Sequence, residues 1–402
     1  MWGEFPGEYW EYEDVELERA KEIVSKYFTI ARAYRHNSSM VIDLEVYDRF
    51  RYKDPKNLEE IFNDIYKKAL DTFSGEYVPI LREGKEFDRI IFLKLTRPIK
   101  KRKKGLSLNI VLLIVTIITT TLAGAINWIS YSYAVQGLTL PLTLKELYLE
   151  ALRFENLING LLYFSIPLLV IVGVHETGHY LMSRRLGLDA TLPYFIPVPP
   201  TGYLSLGTLG AFISVREPMK TRRELILVGA AGPISGFVMA VLVTILGLYL
   251  MKLNPVIVHP HEGESVIALV PSLLFEMIFT VLNLPGNVLI HPLAFAGWIG
   301  ILVTGINLLP IGQLDGGHIF RGLFKDYQKY FGYATLFIMF LASIYYPPWL
   351  IFLLLIVFLG GVVHPPPLND VIPLDKKTLV IGIISVLIFI LCFIPVPFLV
   401  VH

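Results

Sequence analysis

The chain has 402 residues, 54% of them hydrophobic and only 17% charged, with a mean hydropathy of +0.58 and a formal net charge of +1. That balance excludes an ordinary soluble globular protein and fits a chain threaded repeatedly through a membrane. The near-neutral charge argues for no nucleic-acid partner. The single cysteine, Cys392, excludes an intramolecular disulfide and a cysteine-rich metal site.

The first hundred residues differ from the rest. The opening "MWGEFPGEYWEYEDVE" is acidic, lacks an apolar core and does not read as a secretory signal. "VELERAKEIVSKYF" has a helical period, with Val15, Ala20, Ile23, Val24 and Tyr27 on one face. "SSMVIDLEVYD" alternates like a strand. "NLEEIFNDIYKKALDTF" is a second amphipathic helix with Asn57 as its expected cap, and "YVPILRE" and "FDRIIFLKL" read as further strands. The order helix, strand, strand, helix, strand, strand predicts a small α+β soluble domain over 1–100, a binding or regulatory module without a catalytic constellation.

"RPIKKRKKG" (97–105) then abuts an apolar run at about 106–129. Basic residues flanking a run long enough to span place the N-terminal domain in the cytoplasm and send the first span outward. An amphipathic stretch, "LTLKELYLEALRFENLING", lies outside, and a second span at about 160–182 returns to Arg184 and Arg185. "LPYFIPVPPTGYLSLGTLGAFISV" is too rich in Pro and Gly for a continuous helix, yet apolar enough to re-enter the membrane where protein shields it. Its "PVPPTG" reads equally as the lining of a cytoplasmic water entry or as a simple surface turn. The third span, about 225–251, carries "VGAAGPISGF", whose small residues permit close helix packing. Residues 254–292 contain no Lys or Arg, as an outer loop should; His259, His261 and His291 fall there and read as solvated. "VIALVPSLLFEMIFTVLNL" (266–284) reads as interfacial or re-entrant. A fourth span at about 293–310, two more at 331–346 and 349–363, and a last apolar run over 378–402 complete the chain. The expected fold class is a polytopic α-helical membrane protein of about six to seven spans with a re-entrant hairpin. The core occupies 101–370, and 371–402 is a C-terminal apolar segment forming a probable extra transmembrane helix.

Chemistry gathers in two places. "HETGHYL" sets His175 and His179 four residues apart, on one helix face, with Glu176 beside them: two imidazole ligands and a general base. Ionisable groups inside a span are costly and mark function. A catalytic zinc takes three protein ligands and keeps one open position. Asp315 in "QLDGG" is the best third ligand, because it ends the fourth span as the histidine motif ends the second. Zn2+, two neutral imidazoles and the carboxylates of Asp315 and Glu176 sum to zero charge. Glycines 316 and 317 are expected to give a tight turn, and His318 reads as a surface residue.

"HETGHYL" followed by "NLLPIGQLDGGH" resembles the site-2 protease family of intramembrane zinc metalloproteases, over roughly 106–365. The soluble domain before the first span is similar to an arrangement in some archaeal and chloroplast-type members. The resemblance implies a zinc metalloendopeptidase cleaving within transmembrane segments of protein substrates in a cell membrane, with regulated intramembrane proteolysis as its output. It implies His175, His179 and Asp315 as zinc ligands, Glu176 as catalytic base, and Asn307 as a substrate or oxyanion contact. The chain lacks a PDZ-like insertion and tandem nucleotide-binding repeats. A membrane metal-ion transporter and an inactive metal-binding scaffold are the alternatives.

Overall fold

The computed structural model describes residues 14–45, 55–84, 86–98, 106–138, 143–202, 205–257 and 266–401. His259, His261 and most of the basic cluster at 97–105 lie outside these residues. The chain divides into two compact units.

The first unit comprises residues up to Arg102 together with Pro367–Pro373. Helix α1 (Val15–Ser25) opens on Asp14, whose carboxylate accepts from the Leu17 amide at 3.1 Å. Strands β1 (Ile30–His36) and β2 (Ser39–Leu44), helix α2 (Pro55–Thr72), and strands β3 (Tyr77–Arg82) and β4 (Asp88–Lys94) follow. The sheet is antiparallel in the order β1-β2-β4-β3. Val24, Phe62, Ile65 and Ala69 from the helices, with Phe28 from the turn after α1, close over Met40, Ile42, Ile90 and Phe92 from the strands. Val15 stays exposed, and Asn57 sits inside α2, which starts at Pro55, so it is not the expected cap. The expected boundary near 370 also shifts. Leu368 and Ile372 enter this unit's core, the Leu81 amide donates to the Leu368 carbonyl at 2.8 Å, and Leu81 bridges Asn369 as a short parallel addition to β3. Two apolar side chains in a proline-rich stretch are the physical reason: they need a core, and β3 offers an unpaired edge.

The second unit is dominated by helices. Among the described residues three are long and apolar enough to cross a membrane: α3 (Ser107–Gln136), the continuous stretch Phe154–Arg185, and α7 (Arg222–Leu253). The short α4 (Leu144–Ala151) precedes the second of these, capped by a reciprocal Thr143–Glu146 box. That stretch is α5 (Phe154–Gly160), one π-turn (Leu161–Ser165) and α6 (Ile166–Arg185). At its start Gly124 and Gly160 bring α3 and α5 into backbone contact: a Cβ on Gly160 would sit 2.2 Å from the Ala125 nitrogen.

Between α6 and α7, β5 (Tyr194–Pro197) and β6 (Thr208–Phe212) form the re-entrant element as a two-stranded hairpin along α3. Asn109 donates to the Leu192 and Pro193 carbonyls, Thr119 to the Gly207 carbonyl, and Asn127 to the Ser205 carbonyl. At 1.5 Å per residue, Asn109 to Asn127 is roughly 27 Å of helix, close to the thickness of a hydrocarbon core. The hairpin tip therefore lies at the far end of α3: the Tyr148 hydroxyl of α4 donates to the Pro200 carbonyl, and Gly202 meets Leu144. The loop "PVPPTG" thus sits beside α4, at the C-terminal end of α3.

Residues 266–284 form β7 (Val266–Leu269) and the nine-residue α8 (Leu273–Val281), too short to cross. Helix α9 (Pro292–Asn307) is almost wholly buried, and a loop carries the chain to α10 (Asp315–Phe324). Helices α11 (Gln328–Tyr345) and α12 (Pro348–Leu359) make a hairpin, and α13 (Lys376–Cys392) follows. The apolar run 378–402 is not one transmembrane helix. It breaks after Cys392 at "FIPVP", and β8 (Phe398–Val401) pairs antiparallel with β7.

Candidate metal centre

Helices α6 and α7 run antiparallel and touch through glycine. A Cβ on Gly232 would lie 2.0 Å from His179 Nε2, and one on Gly236 would lie 2.9 Å from His175 Nδ1. With Gly229 these form an i, i+3, i+7 face, so α7 presents bare backbone to the two imidazoles. Across that gap the Val228 carbonyl lies 2.7 Å from His179 Nδ1. A carbonyl only accepts, so Nδ1 carries the proton and Nε2 of the neutral ring faces inward as a lone pair.

Asp315 reaches the same point from the first turn of α10, where a carboxylate is favoured by the helix dipole. Glycines 316 and 317 lie within α10 instead of forming the expected turn. Their missing side chains let the Leu308–Leu314 loop fold back on the helix: a Cβ at Gly316 or Gly317 would sit 2.1 Å from the Leu308 or Gly312 carbonyl oxygen.

The three side chains meet closely. His175 Nε2 and His179 Nε2 are 3.1 Å apart, and each lies 3.2 Å from Asp315 Oδ2. Ligand atoms held ~2.0–2.1 Å from a tetrahedral zinc would be separated by ~3.3 Å. An equilateral set of lone pairs at this spacing fits one small cation and is otherwise repulsive. Both histidines are buried. Glu176, 5% exposed, stands beside them with Oε2 free of any hydrogen-bond partner, and the Ile213 backbone just past β6 faces its carboxylate. Asn307, the last residue of α9, brings its amide Nδ2 to 3.4 Å from His175 Nε2. All five residues singled out in the sequence are thus gathered at one point.

Other residues were not anticipated. Gln328, fully buried, donates to the Pro310 carbonyl and accepts from the His364 amide, tying the Asp315 loop to the segment after α12. The Gly312 amide donates to the Val362 carbonyl at 2.9 Å. His318, read as a surface residue, is half-buried and its Nδ1 lies 2.8 Å from His364 Nε2. His291, read as solvated, is 7% exposed: it caps α9 by accepting from the Leu293 amide, and it packs edge-on against Trp128, Tyr131 and Tyr163. The glycine spacing in "VGAAGPISG" was the readable signal for the α7 face. The glutamine and histidine contacts depend on loops whose path no local pattern encodes.

The sequence profile of peptidase family M50 matches residues 163–342, a stretch that holds every residue of this centre. Residues 163–342 thus carry the profile of peptidase family M50, the site-2 protease family. Among curated proteins it is 27% identical over 240 residues to "Probable zinc metalloprotease EGY2, chloroplastic" of Arabidopsis thaliana, covering 57% of this chain and 41% of that protein. It is 30% identical over 236 residues to "Probable zinc metalloprotease EGY1, chloroplastic" of Oryza sativa subsp. japonica, covering 55% of this chain and 38% of that protein. The chain thus spans about two-fifths of the length of these M50 relatives. No solved structure matches it.

Proposed function

We propose that this chain is an intramembrane zinc metalloprotease that hydrolyses peptide bonds within or near transmembrane segments of membrane-protein substrates. The observation that carries the reading is the convergence of His175, His179 and Asp315 on one point, with the unpartnered Glu176 Oε2 beside it. His175 Nε2, His179 Nε2 and Asp315 Oδ2 would hold the zinc. Bound there, zinc supplies a Lewis acid that polarises a carbonyl and acidifies water near neutral pH.

The remaining work falls to the chain. Glu176 Oε2 takes a proton from water on the face the three ligands leave open, then delivers it to the leaving amine. The Asn307 amide, a donor at the same face, orients the scissile carbonyl. The buried helices exclude bulk water. A scissile carbonyl inside a helix is hydrogen-bonded and shielded, so the substrate must be extended here. Strand β6 has a free edge, and its next residue, Ile213, faces Glu176. An extended substrate added to that edge would be led to the base. Prolines placed singly across 204–213 (Leu204 lies outside the described residues) should reduce cleavage of a transmembrane substrate; unchanged rates would remove the strand-addition step.

The reading extends to topology. Gln328 Nε2 lies 3.5 Å from the Val362 carbonyl, so the α11–α12 hairpin leaves and returns at one level. With α3, α5–α6, α7, α9 and α13 this gives seven passages, of which α12 is the shortest. The basic residues at 97–105 support a cytoplasmic N-terminal unit in a cell membrane.

The test compares wild type with Glu176→Gln, purified in detergent, for bound zinc and for cleavage of a transmembrane test substrate. Stoichiometric zinc in both, with cleavage reduced about 10²–10⁴-fold in the variant, is expected for a lost general base. Zinc in both without cleavage by wild type on several substrates would sink the protease reading and leave the scaffold or the transporter.

A further inference from the structure

On the reverse side of the α6–α7 pair, away from the metal ligands, lies a groove that the proteolytic reading does not use. It has a volume of about 400 Å³, opens sideways, and is walled by Leu181, Leu227, Ile234, Val238 and Ile381 from α6, α7 and α13. Leu181 and Val238 are 60% and 51% exposed, so the opening faces the hydrocarbon. Arg185, the last residue of α6, stands at one end of the groove. We propose that this groove binds one anionic phospholipid, its acyl chain along the apolar walls and its phosphate on Arg185.

Three observations select this occupant. The first is shape: the groove is a narrow apolar channel walled by side chains of three helices, which suits a single acyl chain, far thinner than a helix ~10 Å across. The second is the floor. Gly178 lets α7 approach until a Cβ there would lie 2.4 Å from Ser235 Oγ, and that hydroxyl already donates to the helix carbonyls of Val174 and Ala231. The floor therefore holds no spare donor for a polar guest.

The third is charge. Arg184, Arg185, Arg223, Lys376 and Lys377 gather where α6 ends and α7 and α13 begin. The acids at this end are already engaged: Asp375 pairs with Arg223 at 3.6 Å, and Glu224 is buried and accepts from the Lys220 amide. Among the described residues Arg185 has no ion pair. Basic pockets between helices on the cytoplasmic side suit phospholipid phosphates.

The experiment counts lipid directly, so it succeeds or fails independently of proteolysis. The full chain in detergent is given phosphatidylglycerol or phosphatidylcholine of identical acyl chains, and retained lipid is counted by native mass spectrometry. One retained phosphatidylglycerol per chain, held at least about fivefold better than phosphatidylcholine, is expected from a single near-surface cation. Arg185→Gln should erase most of that preference, and Val238→Trp, which fills the groove from its lipid side, should lower retention of both lipids. Both positions are exposed, so neither variant threatens folding, and unchanged bound zinc serves as the control. Equal retention of the two lipids, no effect of either substitution, competition by soluble glycerol phosphate as strong as by the lipid, or one-for-one displacement by a transmembrane peptide would each overturn the proposal.

Discussion

Two aspartates show how differently the two units of this chain hold buried charge. Asp43, in the strand β2 of the first unit, has a fully buried side chain clamped by Arg32 and Arg89, which are themselves 54% and 43% exposed. Asp315, in the helical unit, meets only the histidine pair, and neither it nor Glu176 is paired with a Lys or Arg among the described residues. The first unit supplies its own counter-charge from exposed arginines. The membrane unit builds two carboxylates and a lone-pair triangle into a low-dielectric interior and leaves the positive charge to come from outside the chain. Burying unpaired charge is otherwise prohibitive, so the deficit is itself the case for a divalent cation.

Neutralising each aspartate breaks the comparison most sharply. Asp315→Asn should cost more metal affinity than the ~100-fold that changes outside the ligand shell reach, read as zinc retained after gel filtration against a weak chelator. Asp43→Asn should leave zinc untouched and lower the melting temperature of the first unit, losing ~1.5–3 kcal/mol of charge-assisted hydrogen bonding while both arginines turn into water. If the two variants behave alike, the two sites do not differ as argued.

A subtler substitution tests whether backbone alone shapes the metal centre. Gly232→Ala places a methyl group 2.0 Å from His179 Nε2 on a packed helix pair. Either the imidazole leaves its position or α7 retreats and the Val228 carbonyl releases Nδ1. A fall of about 10–100-fold in zinc affinity or cleavage is expected, as for losses around other metal ligands. Gly236→Ala, with its nearest contact at 2.9 Å, should do less. Equal retention of zinc by Gly232→Ala and wild type would show that the contact is not needed.

Much of this was legible before any coordinates. His175, Glu176 and His179 announce themselves because an i, i+4 pair within an apolar run has few other uses, and Asp315 follows from the need for a third ligand at the same depth. Hydropathy located the three long helices, since their periodicity is local. What the sequence hid depends on packing between distant segments. Residues 378–402 are apolar throughout, and nothing local tells that the chain turns at "FIPVP" to pair Phe398–Val401 with β7. His291 looked solvated because its stretch lacks Lys and Arg and reads as an outer loop, yet Trp128, Tyr131 and Tyr163 arrive from other helices to bury it. Gln328 and His364 are single polar residues without a motif, and only the folded loop joins them to Pro310 and His318.

The smallest expected effect concerns the solvated side of the comparison. In the first unit Arg35 bonds Asp14 and Glu16, and the Arg35 hydrogen bonds hold the Asp14 carboxyl down at about 2 from its ordinary 3.8. A carboxyl whose pKa is depressed on folding adds stability that is fully present above the unfolded value and is lost as pH falls through the folded one. The window is therefore pH 4 down to 2. Pepsin, active throughout it, can cut the full chain of wild type and Arg35→Gln in parallel. The variant should be cut faster at α1 near pH 4, by several-fold at most, because half-exposed pairs contribute ~0.2–1 kcal/mol. The two rates should draw together as pH falls to 2 and below, where wild-type Asp14 also becomes protonated. A ratio that stays constant across the window would mean that Arg35 acts through its hydrogen bond to the Tyr77 hydroxyl and not through the Asp14 charge, and that exposed arginines matter less to this unit than the Asp43 clamp implies.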